Sequence, residues 1–142
     1  MTVTIGCDHT GNDLKKAIID YLNCKGIKVS DLELCEGEEF PEVGERVATE
    51  VVSGKSDFGV IICGTGIGVS IAANKVKGAR AALCTDSFCA RMTRLHNDAN
   101  ILALGARVLG LDLALDIVDK FFSTEFSNEE RHVRRIGKIE NI

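Results

Sequence analysis

Val60-Ile61-Ile62-Cys63-Gly64-Thr65-Gly66-Ile67-Gly68-Val69-Ser70-Ile71-Ala72-Ala73-Asn74 decides how the chain is read. A β-branched apolar run ends in a cysteine, glycines follow at alternate positions, and Ile67, Ile71 and Asn74, with alanines between, resume at helical spacing. The order is strand, glycine-rich turn, helix. Such a turn presents successive backbone N–H groups at a helix start, where aligned peptide dipoles add positive partial charge, and an anion fits there. Cys63 stands at its mouth. A thiol beside a helix N-terminus ionises more readily than a free one and can serve as nucleophile or base. The alternative is a buried apolar cysteine that closes a core strand.

Working outward, the same alternation continues in both directions. Thr2 to Ile5 reads as a strand that ends at Gly6-Cys7-Asp8-His9-Thr10-Gly11, and Leu14, Ala17, Ile18, Tyr21 and Leu22 mark a helix stopped by Gly26. Ile27 to Leu32 gives a second strand, an acidic loop leads to Pro41 at a helix start, and Val43, Val47, Val51 and Val52 line that helix. Beyond the central turn, Arg80 to Cys84 and Ile101 to Leu104 read as strands. The first is followed by a helix that Asp86 or Ser87 can cap, the second by a helix lined by Leu109, Leu113, Ile117, Val118 and Phe121. Asn128 to Ile142 reads as a charged amphipathic helix, intact or frayed. Strands alternating with helices predict right-handed βαβ crossovers, hence a three-layer α/β/α sandwich around a five-stranded parallel, Rossmann-like sheet, with residues 1–142 forming one domain. Ligands of such sheets bind at the carboxyl ends of the strands, which collects Asp8 and His9, Cys63 to Gly68, Thr85 and Asp86, and Gly105 to Arg107 on one edge.

Composition narrows the function. With 142 residues, 45% hydrophobic and 27% charged, the chain can bury a sizeable core without staples. A net charge of −4 and only 5% aromatic residues argue against a nucleic-acid surface. No stretch is apolar for long enough to span a bilayer and Met1-Thr2-Val3-Thr4-Ile5 carries no basic leader, so a cytoplasmic protein is expected. The six cysteines form no C-x-x-C pair and read as free thiols, and the three histidines lie away from any cysteine pair, so no metal site is expected.

Other residues offer chemistry with plainer alternatives. Asp8-His9 presents a carboxylate and an imidazole at a strand end, or a helix cap. His96-Asn97-Asp98-Ala99-Asn100 is a polar cluster suited to proton transfer or to capping. Arg131 and Arg135 share a helical face with His132 and Arg134 nearby; they can clamp a phosphate or form a solvated surface. The turn lacks the lysine of a P-loop. It also fails the G-x-G-x-x-G dinucleotide pattern, because Val69 takes the last position, although Asp86 lies at a fitting distance and keeps a nucleotide-binding module as the rival reading.

Taken together, Gly6-Cys7-Asp8-His9-x-Gly11, Ile62-Cys63-Gly64-Thr65-Gly66-Ile67-Gly68, Ala73-Asn74-Lys75, His96-Asn97-Asp98-x-Asn100, Gly105-x-Arg107-Val108 and the Arg131/Arg135 pair resemble the ribose-5-phosphate isomerase B family across the whole chain. The resemblance implies an aldose–ketose isomerase acting through an enediolate, without metal or organic cofactor. Cys63 is then the base, the Gly64, Gly66, Ile67 and Gly68 amides hold the enediolate, and Thr65 assists proton traffic. His96 opens the furanose ring, and Asp8 orients the ring oxygen and hydroxyls. His9, Arg107, Arg131 and Arg135 form the phosphate shell. It also implies a homodimer, or a tetramer of such dimers, whose sites are shared, with His96, Asn97 and Arg107 supplied by the second copy. Allose-6-phosphate and galactose-6-phosphate isomerases are similar, the latter built from two different subunits. Glu39-Phe40-Pro41 stands where family members commonly carry Asp-Tyr-Pro.

Overall fold

The computed structural model describes residues 1–142. Five strands, β1 (Thr2–Cys7), β2 (Lys28–Leu32), β3 (Phe58–Cys63), β4 (Ala81–Leu83) and β5 (Ile101–Gly105), alternate with α1 (Asn12–Cys24), α2 (Phe40–Val52), α3 (Ile67–Ala73), α4 (Ser87–Asn97) and α5 (Leu111–Ser123), and α6 (Glu130–Glu140) closes the chain. All strand pairs are parallel, in the order β2-β1-β3-β5-β4. The three-layer α/β/α arrangement expected from the sequence is therefore present.

Alternation along the central strands builds two cores. Val60 and Ile62 of β3, with Leu102 and Leu104 of β5, face a cluster completed by Ile18 and Leu22 of α1, Ala90 of α4 and Ile117, Val118 and Phe121 of α5. Ile61, Cys63, Ile101 and Ala103 face the opposite side, against Val47, Ala48 and Val51 of α2 and Val69 and Ala73 of α3. A parallel strand buried on both faces needs a continuous apolar run, which Phe58–Cys63 supplies.

Local chemistry sets the ends of the elements. Glu39 and Glu42 make a reciprocal capping box before Pro41, and Asp86 caps α4 by accepting the Cys89 N–H at 2.8 Å. That hydrogen bond holds the Asp86 carboxyl below its ordinary range, so the residue that made a nucleotide-binding reading attractive serves as a helix cap. At the free edge of the sheet, Asn74 places its side chain against β4: Oδ1 accepts the Ala81 N–H at 2.8 Å and Nδ2 donates to the Ala81 carbonyl at 2.9 Å. The C-terminal segment is a helix through Glu140 rather than a frayed end, tied down where Arg80 meets Glu140 at 2.6 Å.

In α3 the expected stripe points outward. Ile67 and Ile71 are 51% and 56% exposed, while Val69, Ser70 and Ala73 are buried. The helix is one short element lying close on α2, and a Cβ at Gly44 would stand 2.7 Å from the Val69 carbonyl oxygen, so only its small residues fit underneath.

The central turn requires two glycines where it meets β5. Gly66 has φ of 77°, and a Cβ there would lie 2.8 Å from the Leu104 carbonyl carbon; a Cβ at Gly105 would lie 2.6 Å from the Thr65 carbonyl oxygen. Gly105→Ala is expected to cost about 1–3 kcal/mol through overpacking. Gly137→Ala, in α6 with open space around it, should gain about 0.5–1 kcal/mol through helix propensity. Urea unfolding midpoints of the two variants should move in opposite directions from that of the wild type.

Candidate active site

The Cys63 turn forms the floor of a site at the carboxyl edge of the sheet. Cys63 is 5% exposed, and its Sγ accepts the Gly66 N–H at 3.1 Å. The Ile67 N–H donates to Thr65 Oγ1 at 3.2 Å, which folds the exposed Thr65 side chain onto the start of α3. The N–H groups of Gly64, Thr65 and Gly68 donate to no acceptor within the chain, leaving backbone donors open along the turn that carries the sulfur. With only seven residues in α3, these amides matter more than the dipole of the whole helix. Burial pushes Cys84 up to about 12 and raises Cys7 as well, so both stay protonated near neutrality.

Two neighbouring loops wall the turn. After β5, the Ala106 N–H donates to the Cys63 carbonyl and the Arg107 N–H to the Gly64 carbonyl, each at 2.9 Å. This clasp brings the Arg107 side chain alongside Gly64, with Cδ 3.6 Å from where a Cβ would stand. After β1, Asp8 is buried and His9 exposed. Asp8 Oδ1 accepts the Thr10 N–H at 2.9 Å and the Thr10 hydroxyl at 2.5 Å, and Thr10 Oγ1 faces Gly64. The ring of Phe40, at the start of α2, covers Gly68 so closely that a Cβ there would meet it at 2.6 Å.

His96 and Asn97 lie elsewhere. α4 starts at the carboxyl edge, where Asp86 caps it, and runs back to the opposite edge, so its last turn lies near the start of β5. The register from Gly59↔Ile101 to Cys63↔Gly105 separates the two edges by four residue steps, roughly 13 Å. Within the polar cluster, Asp98 takes a left-handed cap and receives Arg94 at 2.7 Å, while Asn100 bridges the Arg80 N–H and the Gly78 carbonyl. The side chains of His96 and Asn97 enter no hydrogen bond. The first turns of α6 lie beside them: the Ser127 N–H donates to the Leu95 carbonyl, and His132 packs its ring 4.4 Å from that of His96. Arg131 and Arg135 therefore belong to the His96 edge, with Arg131 also paired to Glu129 at 2.8 Å. A cavity of about 760 Å³ opens next to Asn97, between the start of β4 and the end of α6.

The expected residues thus fall into two groups. Asp8, His9, Cys63 to Gly68 and Arg107 meet at one edge, and His96, Asn97, Arg131 and Arg135 at the other. Arg107 lies where the strand-end rule put it, held beside Cys63 of its own chain by the backbone clasp onto Gly64 and apart from the His96 with which the resemblance grouped it. His132, beside Arg131, is 3% exposed. Thr10 was missed, although Asp-x-Thr after a strand is the pattern of a side-chain-closed turn. No three His, Cys, Asp or Glu side chains converge as a metal site, and no helix is long and apolar enough to cross a membrane.

The family profile described as Ribose/Galactose Isomerase matches residues 3–139. The chain belongs to that family. It is 42% identical over 142 residues to ribose-5-phosphate isomerase B of Escherichia coli, covering 99% of this chain and 95% of that protein. It is 39% identical to the galactose-6-phosphate isomerase subunit LacB of Clostridium acetobutylicum, covering 100% and 83%. The solved structure of ribose-5-phosphate isomerase B from Clostridium thermocellum superposes with a TM-score of 0.95 at 55% identity, covering 99% and 96%. Membership carries the reaction class, an aldose–ketose isomerase that moves hydrogen within one sugar-phosphate molecule.

Thr10 gives this edge a test of its own. Thr10→Val keeps the shape and removes the hydroxyl that restrains Asp8, a charge-assisted hydrogen bond worth about 1.5–3 kcal/mol. Steady-state kinetics should show kcat/KM down roughly tenfold or more, with an unchanged circular dichroism spectrum.

Proposed function

We propose that this protein is a cytoplasmic ribose-5-phosphate isomerase that interconverts ribose 5-phosphate and ribulose 5-phosphate through an enediolate, with Cys63 as the base. One observation carries this reading: the turn that holds the Cys63 sulfur through the Gly66 N–H also carries backbone N–H groups with no acceptor of their own. Taking a proton from C2 of an open-chain aldose leaves negative charge on O1 and O2. Fixed amides aimed at that charge stabilise it without having to reorganise. The open amides of Gly64, Thr65 and Gly68 supply the cradle and those of Gly66 and Ile67, which hold the Cys63 sulfur and the Thr65 hydroxyl, shape it; the Thr65 hydroxyl passes protons between the sugar oxygens, and the restrained Asp8 carboxylate orients the hydroxyls. The Phe40 ring forms a wall without a hydroxyl where the sugar would lie.

Ribose 5-phosphate is mostly a closed furanose. To open it, the O1–H proton leaves, C1=O1 forms, the bond from C1 to the ring oxygen breaks and that oxygen takes up a proton. His96, an imidazole with no hydrogen-bond partner, suits the transfer to the ring oxygen, with Asn97 holding the sugar. His9, Arg107, Arg131 and Arg135 provide phosphate contacts.

The two groups lie too far apart to meet within one chain, which favours a homodimer in which His96, Asn97, Arg131 and Arg135 of one copy complete the Cys63 site of the other. Ile67 and Ile71, exposed and next to the Cys63 turn, would be covered by such a contact. A pair of dimers making a tetramer is compatible with this arrangement. Hexose 6-phosphates are the second substrate reading, favoured by the resemblance to the galactose-6-phosphate isomerase subunit.

The purified protein should turn over ribose 5-phosphate with ketose formation, ahead of allose 6-phosphate and galactose 6-phosphate, and Cys63→Ala should lower kcat about 10²–10⁴-fold. Preference for a hexose phosphate would replace the substrate, and a near-normal rate in Cys63→Ala would move the base elsewhere. The shared site has a separate test. Co-refolding Cys63→Ala chains with His96→Ala chains gives hybrid dimers with one intact site, so activity should return to about a quarter of the wild-type rate. A mixture no more active than the mean of its parents, with hybrids verified by mass spectrometry, would show that each site is built within one chain.

A further inference from the structure

The histidine next to His96 has no role in the chemistry described so far, and its surroundings are unusual. His132 is 3% exposed, the only buried residue of a helix whose other side chains are half-buried or exposed. Its ring centroid lies 4.4 Å from that of His96, with 39° between the planes. Its Nδ1 meets Ser127 Oγ at 2.7 Å, and that hydroxyl also accepts the Glu129 N–H at 3.3 Å. Ser127 is itself fixed to α4, because its N–H donates to the Leu95 carbonyl. The loop before α6 thus anchors to the residue preceding His96, and the anchor ends in a ring placed against the His96 ring.

That contact matters because little else holds His96. Its side chain enters no hydrogen bond, and it stands in the last turn of a helix, where the imidazole can swing about two torsions. A proton-transfer group must occupy one orientation to be useful, and fixing it after substrate arrives costs entropy that a preformed contact removes. An aromatic partner at 4.4 Å supplies such a contact over an area, not at one atom. The groups facing His132 are His96 from α4, and Glu129, Arg131 and Arg135 from the start of α6. Burial first, then His96, Arg131 and Arg135 against the opposing Glu129, holds His132 below the ordinary imidazole range.

We propose that His132 is the positioning residue for His96, a ring seated by Ser127 against which the His96 imidazole is held for opening the sugar ring. This rests on the reading that His96 opens the furanose, and it makes a prediction that a structural role for His132 does not. If His132 only secured α6, its loss would displace Arg131 and Arg135 and weaken phosphate binding for aldose and ketose alike. A positioning role touches ring opening alone. The aldose must be opened before C2 can lose its proton. The ketose has its C5 oxygen esterified, so it has no hydroxyl placed to close a furanose on C2 and reaches the enediolate without that step.

The experiment measures two rates in the full-length protein: kcat/KM for isomerisation of ribose 5-phosphate, which needs ring opening, and the rate at which ribulose 5-phosphate exchanges a C1 hydrogen for solvent deuterium, which reports the ketose and the enediolate alone. His132→Asn removes the ring and keeps a group able to reach Ser127, while His132→Phe keeps the ring and loses that hydrogen bond. The expected result for His132→Asn is a loss of roughly tenfold in isomerisation and less than twofold in exchange, with His132→Phe close to the wild-type ratio of the two rates. Equal losses in the two rates, or none, overturn the proposal. His96→Ala is the control for the underlying reading. If it loses both rates alike, ring opening is not the work of His96 and both fall; if it loses isomerisation alone and His132→Asn does not, only the proposal fails. Should His132→Asn not fold, His132→Leu, which fills the site without an aromatic ring, should shift the same ratio in the same direction; an unchanged ratio there also overturns the proposal.

Discussion

The Thr65 carbonyl sits where a side chain at position 105 would begin. The rest of the Cys63 edge depends on that contact. Because Gly66 and Gly105 meet without side chains, the turn after β3 can lie flat on the end of β5, close enough for Ala106 and Arg107 to donate into it. The clasp sets the direction of the Gly64, Thr65 and Gly68 amides and places a guanidinium beside them. Two hydrophobic layers hold β3 and β5 in register underneath, so the precision of the turn derives from the most deeply buried part of the sheet.

The same sheet keeps the chemistry divided. Helices that return strand ends to strand starts carry residues from one edge to the other, and α4 takes His96 and Asn97 away from the cysteine. A short parallel sheet cannot bring a helix C-terminus next to a strand C-terminus of the same unit. An enzyme of this size that needs groups from both places would gain them by pairing with another copy, and the dimer proposed above would cover the exposed isoleucines of α3. Under that arrangement, assembly and catalysis use one surface.

Much of this was legible in the sequence because it depended on period and punctuation. The run ending at Cys63, the alternate glycines and the strand-end positions of Asp8 and Arg107 follow from spacing alone, and the sheet follows from the rhythm of strands and helices. What spacing could not supply was the side of an element that faces in. Ile67 and Ile71 look like an inward stripe, and only the approach of Gly44 to Val69 reveals that α3 has no room for them underneath. How closely Arg107 approaches Gly64 depended on two backbone hydrogen bonds from a loop. His132 looks in sequence like one more charge in a basic helix; its burial comes from a ring on another element and a serine hydroxyl in the preceding loop, neither of which has a sequence period.

One small contact limits how the protein can associate. β4 is short and lies at the end of the sheet, and an open strand edge invites another chain to add to it. Asn74 occupies that position, its amide giving and taking the hydrogen bonds at Ala81 that a neighbouring strand would make. The edge is sealed from within by a side chain that imitates backbone. At the far end, β2 is short, with Lys28, Ser30 and Asp31 exposed and Lys15 paired to Asp31. The sheet is thus sealed at its β4 end, so copies of this chain can meet through helix and turn surfaces there but not by strand addition along β4.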